Sequence, residues 1–335
     1  MDIDVFAAAH AREWERLDEL VRRRRSLNGE EIDELVDLYQ RVSTHLSVVR
    51  SSGQDPALVG RLSAQVARAR SAVTGSHASA WRDVGGFFTR VFPAVLYRLR
   101  WWWIGTSVGT VAVAAVTAAW VATDPDVMHA LGPPEFLAQY VDYDFANYYM
   151  ENPRSSFAAQ VWTNNAWVAA QAIIFGVAFG LPTLAVMAIN ALNVGAGAGI
   201  MIAHGQADVF FGLILPHGML ELTAVFVAGG VGLKLGWTLI APGDRPRLRA
   251  LGEEARAAVA VALGLVVVLF VSGLIEGLVT GNAAAGDLPI PVALGIGALA
   301  EVLFLVYVFT VGRKAHQEGE TGDIENAPAA VPVAG

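Results

Sequence analysis

A histidine and a glutamate stand four positions apart in an otherwise apolar stretch. Residues 210–240 are nearly all apolar or small, yet they include His217 and Glu221. Residues at this spacing lie on one face of a helix, so the two side chains should point the same way. A carboxylate at bilayer depth costs at least about 2.5 kcal/mol and rarely lies there without a partner or a use. These two residues are the first candidates for chemistry.

Other polar residues fall inside apolar runs or at their mouths. We predict that they form one polar pocket facing outward from the membrane. The predicted members are His217, Glu221, Glu276, Glu301, Asn164 and Asn165.

Three interpretations of this pocket remain open. Imidazole and carboxylate groups bind zinc, but His217 is the only histidine well inside an apolar run, so zinc at His217 and Glu221 would have few ligands. The same residue types form proton relays in membrane proteins. They also form hydrogen-bonded clusters that hold helices in register. We predict no cofactor and commit to no catalytic residue.

Several enzyme and binding classes lack their usual motifs. The sequence contains no phosphate-binding loop, dinucleotide fingerprint, HExxH helix or GxSxG elbow. It has no cysteine, which excludes disulfides and thiolate chemistry. Nucleic-acid binding has no support beyond four arginines at 22–25. Enzymatic activity stays open, and the expectation leans against it.

Composition predicts an all-α polytopic membrane bundle. Of 335 residues, 54% are hydrophobic and only 16% are charged, whereas soluble domains have about a quarter. About six runs reach spanning length. We place the spans at residues 101–121, 166–187, 189–203, 210–240, 257–279 and 290–311.

Two of these spans have special features. Pro216 removes a backbone donor, so we expect a short lead-in before it and one crossing after it. The run at 189–203 is short, which leaves a re-entrant segment as an alternative.

The residues before the first span predict a cytosolic helical bundle over 1–78. Its helices are expected at residues 6–25, 30–49 and 56 to about 73, with Asp55 as a cap before Pro56. Ile32 is expected on the apolar side of the second helix. No cleavable signal peptide is expected, since the first forty residues are polar. Residues 79–100 mix phenylalanine and arginine, which predicts an amphipathic segment in the membrane interface.

The charged residues predict the orientation. Lys and Arg concentrate before the first span, between the fourth and fifth, and after the sixth. The positive-inside rule then places both termini in the cytosol. The acidic, tyrosine-rich loop at 124–163 is extracytoplasmic, and the tail at 315–335 is predicted to be disordered.

Small residues recur four positions apart, a pattern that lets helices approach closely. It predicts a compact bundle or a homodimer face, and packing within one chain is the stronger expectation. The pairs are Gly176 and Gly180, Gly195 and Gly199, and Gly232 and Gly236.

The membrane part resembles the stage II sporulation protein M family of bacterial multi-pass membrane proteins. The resemblance covers residues 164–243 and is most specific in the Pro216–Leu222 motif. The matching features are Asn164-Asn165, Gly176, Gly180, Asn193 before its glycines, Pro216-His217-Gly218-x-x-Glu221-Leu222, Ala228-Gly229, Gly236, Pro242-Gly243 and the lead-in Phe92-Pro93. Asn193 therefore joins the predicted pocket residues.

The resemblance implies a bacterial cytoplasmic-membrane protein without established catalysis. The sporulation member of the family acts beside peptidoglycan-degrading partners during engulfment. We therefore expect a scaffold that organises envelope proteins, with membrane lipids as further partners. The alternative is a transporter or intramembrane enzyme that uses the His/Glu pocket on a lipid-linked or cell-wall substrate.

Overall fold

The chain folds as two helical units, Met1–Gly85 and Gly86–Gly335. The computed structural model describes residues 3–23, 26–52, 55–73, 84–149 and 154–322. Every regular element within those residues is a helix, as predicted. Each unit has its own hydrophobic core.

Unit 1 consists of three helices, α1 (Ile3–Arg22), α2 (Gly29–Ser52) and α3 (Pro56–Val73). They agree with the predicted helices to within a few residues because their ends have strong local signals. Asn28 and Glu31 exchange side-chain to backbone hydrogen bonds of 2.9 and 3.0 Å at the start of α2. Asp55 accepts from two backbone N–H groups at the start of α3. Ile32, expected on the apolar side, is 50% exposed, so that expectation was wrong.

Unit 2 contains the long apolar helices. Its α-helices of five or more residues are α4 (Phe92–Arg98), α5 (Arg100–Thr123), α6 (Pro125–Leu131), α7 (Pro134–Gln139), α8 (Arg154–Ile174), α9 (Leu181–Ala203), α10 (Ala207–Ile240), α11 (Arg247–Ile275), α12 (Ile290–Tyr307) and α13 (Arg313–Gln317). α11 continues through a π-helical turn, Glu276–Thr280, into Gly281–Ala284.

Five helices among the described residues are long and apolar enough to cross a membrane. They are α5, α9, α10, α11 with its extension to Ala284, and α12 with its extension to Gln317. The polytopic membrane bundle is therefore confirmed. α8 is the remaining long helix of unit 2, and Gln160, Asn164 and Asn165 make it more polar than those five.

The boundary between α8 and α9 differs from the prediction. We expected a break near residue 188, but the chain turns at Phe175–Gly180. Gly180 adopts a left-handed conformation with φ of 77°, and Pro182 follows in the first turn of α9. With 23 residues, α9 is about 34 Å long, enough to span a bilayer without re-entrance. α8 begins at Arg154, so Asn164 and Asn165 lie in its middle and the predicted loop is ten residues shorter.

The expected division into a short lead-in before Pro216 and a separate crossing after it is not observed. α10 is one helix of 34 residues, about 51 Å long, and Pro216 lies inside it. Gly297 of α12 lies directly against this point, since a Cβ there would come 2.1 Å from the Pro216 carbonyl oxygen. Prolines inside membrane helices are tolerated where neighbouring helices cover the freed backbone groups.

The segment before α5 packs inside unit 2. Phe92, Val95 and Leu96 are fully buried, and Gly264 leaves the space that the Phe92 ring occupies. Arg98 donates two hydrogen bonds of 2.9 Å to Glu254 of α11. The apolar side of this segment therefore contacts protein, and its location in the membrane interface stays a prediction. Residues 79–83 lie outside the described residues.

The structure describes the first eight residues of the segment that we predicted to be disordered. Residues 315–322 are described, and Ala315 is buried against the rest of unit 2. Gly322 lies against Val95. Residues 323–335 lie outside the described residues.

The six predicted packing glycines lie at close contacts between helices of one chain. Cβ atoms on Gly176 and Gly232 would come within 2.3 Å of backbone atoms on the facing helix. Gly180 and Gly236 form a second such contact at the turn before α9. Gly195 and Gly199 face α5. These contacts bring the backbones of α8, α9 and α10 close together around the site.

Candidate functional site

Three helices bring the polar side chains of unit 2 together. α10 carries His217 and Glu221 one turn apart, and α11 faces them with Ser272, Glu276 and Thr280. The π-helical turn begins at Glu276, and such turns are frequent at functional sites because they redirect side chains. α8 completes the group with Asn165.

His217 is buried and contacts α11 through both ring nitrogens. Nδ1 lies 3.0 Å from the hydroxyl oxygen of Thr280, and Nε2 lies 3.7 Å from Glu276 Oε1. In the tautomer with the proton on Nδ1, this nitrogen donates to Thr280 and Nε2 presents a lone pair toward Glu276.

Glu221 accepts a hydrogen bond from α8 and lies beside a hydroxyl of α11. Asn165 Nδ2 donates to Oε1 at 2.6 Å. The Ser272 hydroxyl donates to the His217 carbonyl oxygen at 3.0 Å and lies 3.4 Å from Glu221 Oε2. These contacts hold the carboxylate in one orientation.

Glu276 is the least satisfied member of the group. It is only 2% exposed. Its Oε2 is buried and has no hydrogen-bond partner among the described residues. Buried polar atoms are nearly always paired, so this oxygen needs an explanation.

These residues line a cavity of about 450 Å³, which we call the polar cavity. Its lining contains two carboxylates and one imidazole, and none of the described lining residues is Lys or Arg. The lining residues are Tyr148, Tyr149, Gln160, Val161, Asn164, Asn165, Val194, Ile214, His217, Gly218, Glu221, Leu222 and Glu276.

Two residues that we expected in the pocket lie elsewhere. Glu301 accepts a hydrogen bond from the Thr223 hydroxyl at 2.9 Å and does not line the polar cavity. Asn193 is exposed on α9.

Several residues of the polar cavity were not predicted from the sequence. Ser272 and Thr280 stand four residues before and after Glu276, a spacing that places all three on one helix face. Gln160 stands four residues before Asn164 in the same way. Tyr149 was considered only as part of the tyrosine-rich loop at 124–163. Burial raises the pKa of its hydroxyl above the ordinary value of 10, so it stays protonated and can donate.

A second cavity of about 230 Å³, which we call the apolar cavity, lies between α5, α9 and α10. Small and apolar side chains, including Ala114, Ala115, Ala118 and Phe226, line it. Val194, Ile214 and Leu222 line both cavities. The two cavities therefore adjoin across a shared wall.

The three carboxylate and imidazole residues form a compact donor set. One nitrogen or oxygen atom from each of His217, Glu221 and Glu276 lies within 4.8 Å of the others. Such a set can bind a cation or move a proton along the group.

Comparisons with known proteins cover both units. The family described as Stage II sporulation protein M matches residues 107–281, about half of the chain, which include His217, Glu221 and Glu276 but not Glu301. The family described as Domain of unknown function (DUF8413) matches residues 4–75.

A curated relative, the Uncharacterized protein MJ0793 of Methanocaldococcus jannaschii, is 31% identical over 100 residues. This alignment covers 30% of the chain and 55% of that protein, so the chain spans about half the length of the relative it matches. No solved structure matches the chain.

Proposed function

Because this chain belongs to the stage II sporulation protein M family and is a multi-pass membrane protein, we propose that it acts through the polar cavity of unit 2. The proposed ligand is an amphiphile of the cell envelope. Its polar group lies in the polar cavity, and its chain lies in the adjoining apolar cavity. This is the transporter or intramembrane-enzyme class of function.

The observation that carries this proposal is the open space around His217. A purely structural cluster would fill the space between its helices and pair its polar atoms. Here His217, Glu221 and Glu276 line about 450 Å³, and one carboxylate oxygen is unpaired. Ligand sites combine an apolar lining with a few convergent polar groups in this way.

The shared wall supports an amphiphilic ligand. Val194, Ile214 and Leu222 separate a space lined by titratable groups from one lined almost entirely by carbon. A ligand with a polar head and an apolar chain matches both surfaces. The lipid-linked substrates considered from the sequence have this construction.

The lipids that co-purify with the protein test this proposal. Ala115 is exposed and lines the apolar cavity, whereas its neighbour Val116 is exposed but does not line it. We expect Ala115→Trp to lose a lipid that native mass spectrometry detects on the wild type. Val116→Trp should retain it. Equal lipid occupancy in the wild type and both variants would contradict the proposal.

Function in cells separates the two classes of activity. In a strain that depends on this protein, His217→Ala and Glu221→Gln should abolish complementation while leaving membrane abundance unchanged. Reduced abundance with intact function per molecule would instead assign these residues a structural role.

A membrane scaffold for envelope proteins is the second candidate function, and unit 1 supports it. Unit 1 has its own core, a charged surface and its own family match over residues 4–75. A second copy of the chain is one proposed partner, since Gly105 and Gly109 on α5 have open space where side chains would lie. Membrane lipids and envelope proteins are the others. Deletion of residues 4–75 would abolish complementation if this function dominates.

We also propose that the protein lies in the cytoplasmic membrane with both termini in the cytosol. The arginines at 245, 247 and 249 and the basic pair Arg313 and Lys314 support this orientation. Because the sequence has no cysteine, single cysteines can be labelled without background. An impermeant maleimide should label Asp142→Cys on intact cells and leave Arg245→Cys unlabelled. The opposite pattern would reverse the orientation.

A further inference from the structure

We propose that His217, Glu221 and Glu276 bind one divalent transition-metal ion of the zinc type. This inference deepens the proposed function, on which it rests, because the ion would lie in the same polar cavity. It would supply the polar cavity with the positive charge that its described lining lacks.

The distances suit a metal ion. Tetrahedral ligands at zinc bond lengths of about 2.0 Å are separated by about 3.3 Å. His217 Nε2 and Glu276 Oε1 are 3.7 Å apart, and the donor atoms of all three residues lie within 4.8 Å of one another. Shifts of roughly 1 Å would bring the three atoms to coordination distance. No helix has to move to assemble the set.

The surrounding hydrogen bonds orient the donors. In the tautomer described above, Thr280 holds His217 Nδ1–H and leaves the Nε2 lone pair free to bind. Asn165 donates to the carboxylate of Glu221 at 2.6 Å and orients it. Partners of this kind fix the tautomer and geometry of metal ligands in known sites.

Glu276 provides the independent observation that points to a ligand. Its Oε2 is buried without a partner, although the residue is only 2% exposed. A buried carboxylate needs a positive or hydrogen-bonding partner. The described lining of the polar cavity offers no Lys or Arg to serve. A cation that bound both oxygens of the Glu276 carboxylate together with His217 Nε2 would satisfy this oxygen.

The donor types select the class of metal. Mg²⁺ and Ca²⁺ prefer sets of oxygen ligands, and Mg²⁺ keeps several waters. An imidazole with carboxylates suits zinc and its neighbours in the first transition row. Three protein ligands leave one position open toward the polar cavity, as in sites where zinc contacts a substrate. A dication beside two carboxylates would also let the polar cavity accept an anionic head group, such as a phosphate.

Metal binding by the purified full-length protein tests this site. The protein in detergent is stripped with a chelator and dialysed against ZnCl₂ or CoCl₂. Elemental analysis then gives the metal content, and the visible absorption of Co²⁺ reports its coordination. We expect one ion per chain and a spectrum typical of four-coordinate Co²⁺.

Variants locate the ion. Glu276→Gln and His217→Gln should lose it, with size-exclusion chromatography as the check on folding. If one of them does not fold, Glu221→Gln carries the same expectation. The matched control is Glu301→Gln, because Glu301 is also a membrane glutamate with a buried unpaired oxygen but lies outside the polar cavity. His45→Ala controls for a second histidine and glutamate cluster in unit 1.

Two results would overturn the metal site. Substoichiometric metal on the wild type would overturn it, as would metal lost only in His45→Ala. If no metal binds but Ala115→Trp still loses its lipid, the amphiphile proposal survives and the metal site fails. If metal binds while lipid occupancy is unchanged by Ala115→Trp, the metal site survives and the amphiphile proposal fails.

Discussion

Units 1 and 2 each contain a cluster of histidine and glutamate side chains with different surroundings. In unit 1, His10 and Glu13 of α1 meet His45 of α2, with the two imidazole rings 4.0 Å apart. All three are partly exposed. In unit 2, His217 and Glu276 are buried and lie beside the polar cavity.

The partners of each cluster explain why only one is a candidate binding site. Trp14 Nε1 donates a hydrogen bond to His45 Nδ1 at 3.2 Å, so the lone pair of Nδ1 is occupied. The proton of the neutral ring then lies on Nε2, which leaves neither nitrogen of His45 free as a metal ligand. Arg41 lies 3.8 Å from Glu13 and supplies a positive charge. The cluster in unit 1 therefore has a cation beside Glu13 and a donor at His45, although Glu13 Oε2 and His10 Nδ1 are buried without a hydrogen-bond partner among the described residues. In unit 2 the described lining provides a donor for Glu221 but no cation.

The largest expected effect is a loss of stability in unit 1 that leaves the cluster of unit 2 unchanged. Trp14 is 2% exposed, contacts His45, and receives a hydrogen bond from Gln65 Nε2 at its carbonyl oxygen. Trp14→Ala should destabilise unit 1 by about 3–5 kcal/mol because it leaves a large cavity in a small core. Hydrogen exchange should rise throughout α1–α3. The metal content of unit 2 should stay at one ion per chain, and a joint loss would show that the two sites are not separate.

A lysine in the polar cavity should give the cluster of unit 2 the cation that Arg41 supplies in unit 1. Gln160 lines the polar cavity and is exposed, so Gln160→Lys would place an ammonium group near Glu221 and Glu276, as Arg41 lies near Glu13. The ammonium group would repel a dication and compete with it for the two carboxylates, so this variant should lose metal binding while keeping its fold.

The neighbouring residue provides the control for this substitution. Ala159 is also exposed on α8 but does not line the polar cavity. Ala159→Lys should bind metal like the wild type. Full metal binding by Gln160→Lys would contradict the view that a missing cation distinguishes the two clusters.

Loss of an orienting hydroxyl should have a smaller effect. Thr280 is fully buried, and its hydroxyl contacts His217 Nδ1. Thr280→Val preserves the shape and leaves the imidazole free to rotate, so metal affinity should fall about 10–100-fold. Thr238→Val is the matched control, because the buried Thr238 hydroxyl bonds only within its own helix, to the Lys234 carbonyl oxygen. Equal affinities for the two variants would exclude an orienting role for Thr280.

The sequence predicted elements that have local signals and missed those that depend on tertiary contacts. The helices of unit 1 were predictable because Asn28 and Asp55 cap them and their apolar residues recur with helical spacing. The turn at Phe175–Gly180 was missed because the run is apolar throughout, and apolarity does not distinguish a turn from a helix in a membrane protein. Gly180 before Pro182 was the available signal.

In the candidate site, the arrangement of residues on one helix was predictable from the sequence, but the contacts between helices were not. The spacing of His217 and Glu221 correctly predicted a shared helix face. Glu276 was included because it lies inside an apolar run, but its contact with His217 depends on how α11 packs against α10. Glu301 also lies inside an apolar run and contacts Thr223 instead. The position of a polar residue in an apolar run therefore does not predict its partner.

The smallest expected effect is a pH dependence confined to unit 1. Burial, followed by the charge of His10, holds the pKa of His45 below its ordinary value of 6.5. The unfolded chain therefore binds a proton at His45 more readily than the folded chain does. Stability from the neutral ring is present above pH 6.5 and falls as the pH drops below that value. Hydrogen exchange in α1 and α2, corrected for intrinsic rates, should become faster as the pH is lowered from about 8 to about 5. His45→Gln retains an acceptor for Trp14 and should reduce this rise, so an identical pH profile in that variant would assign the dependence to another group.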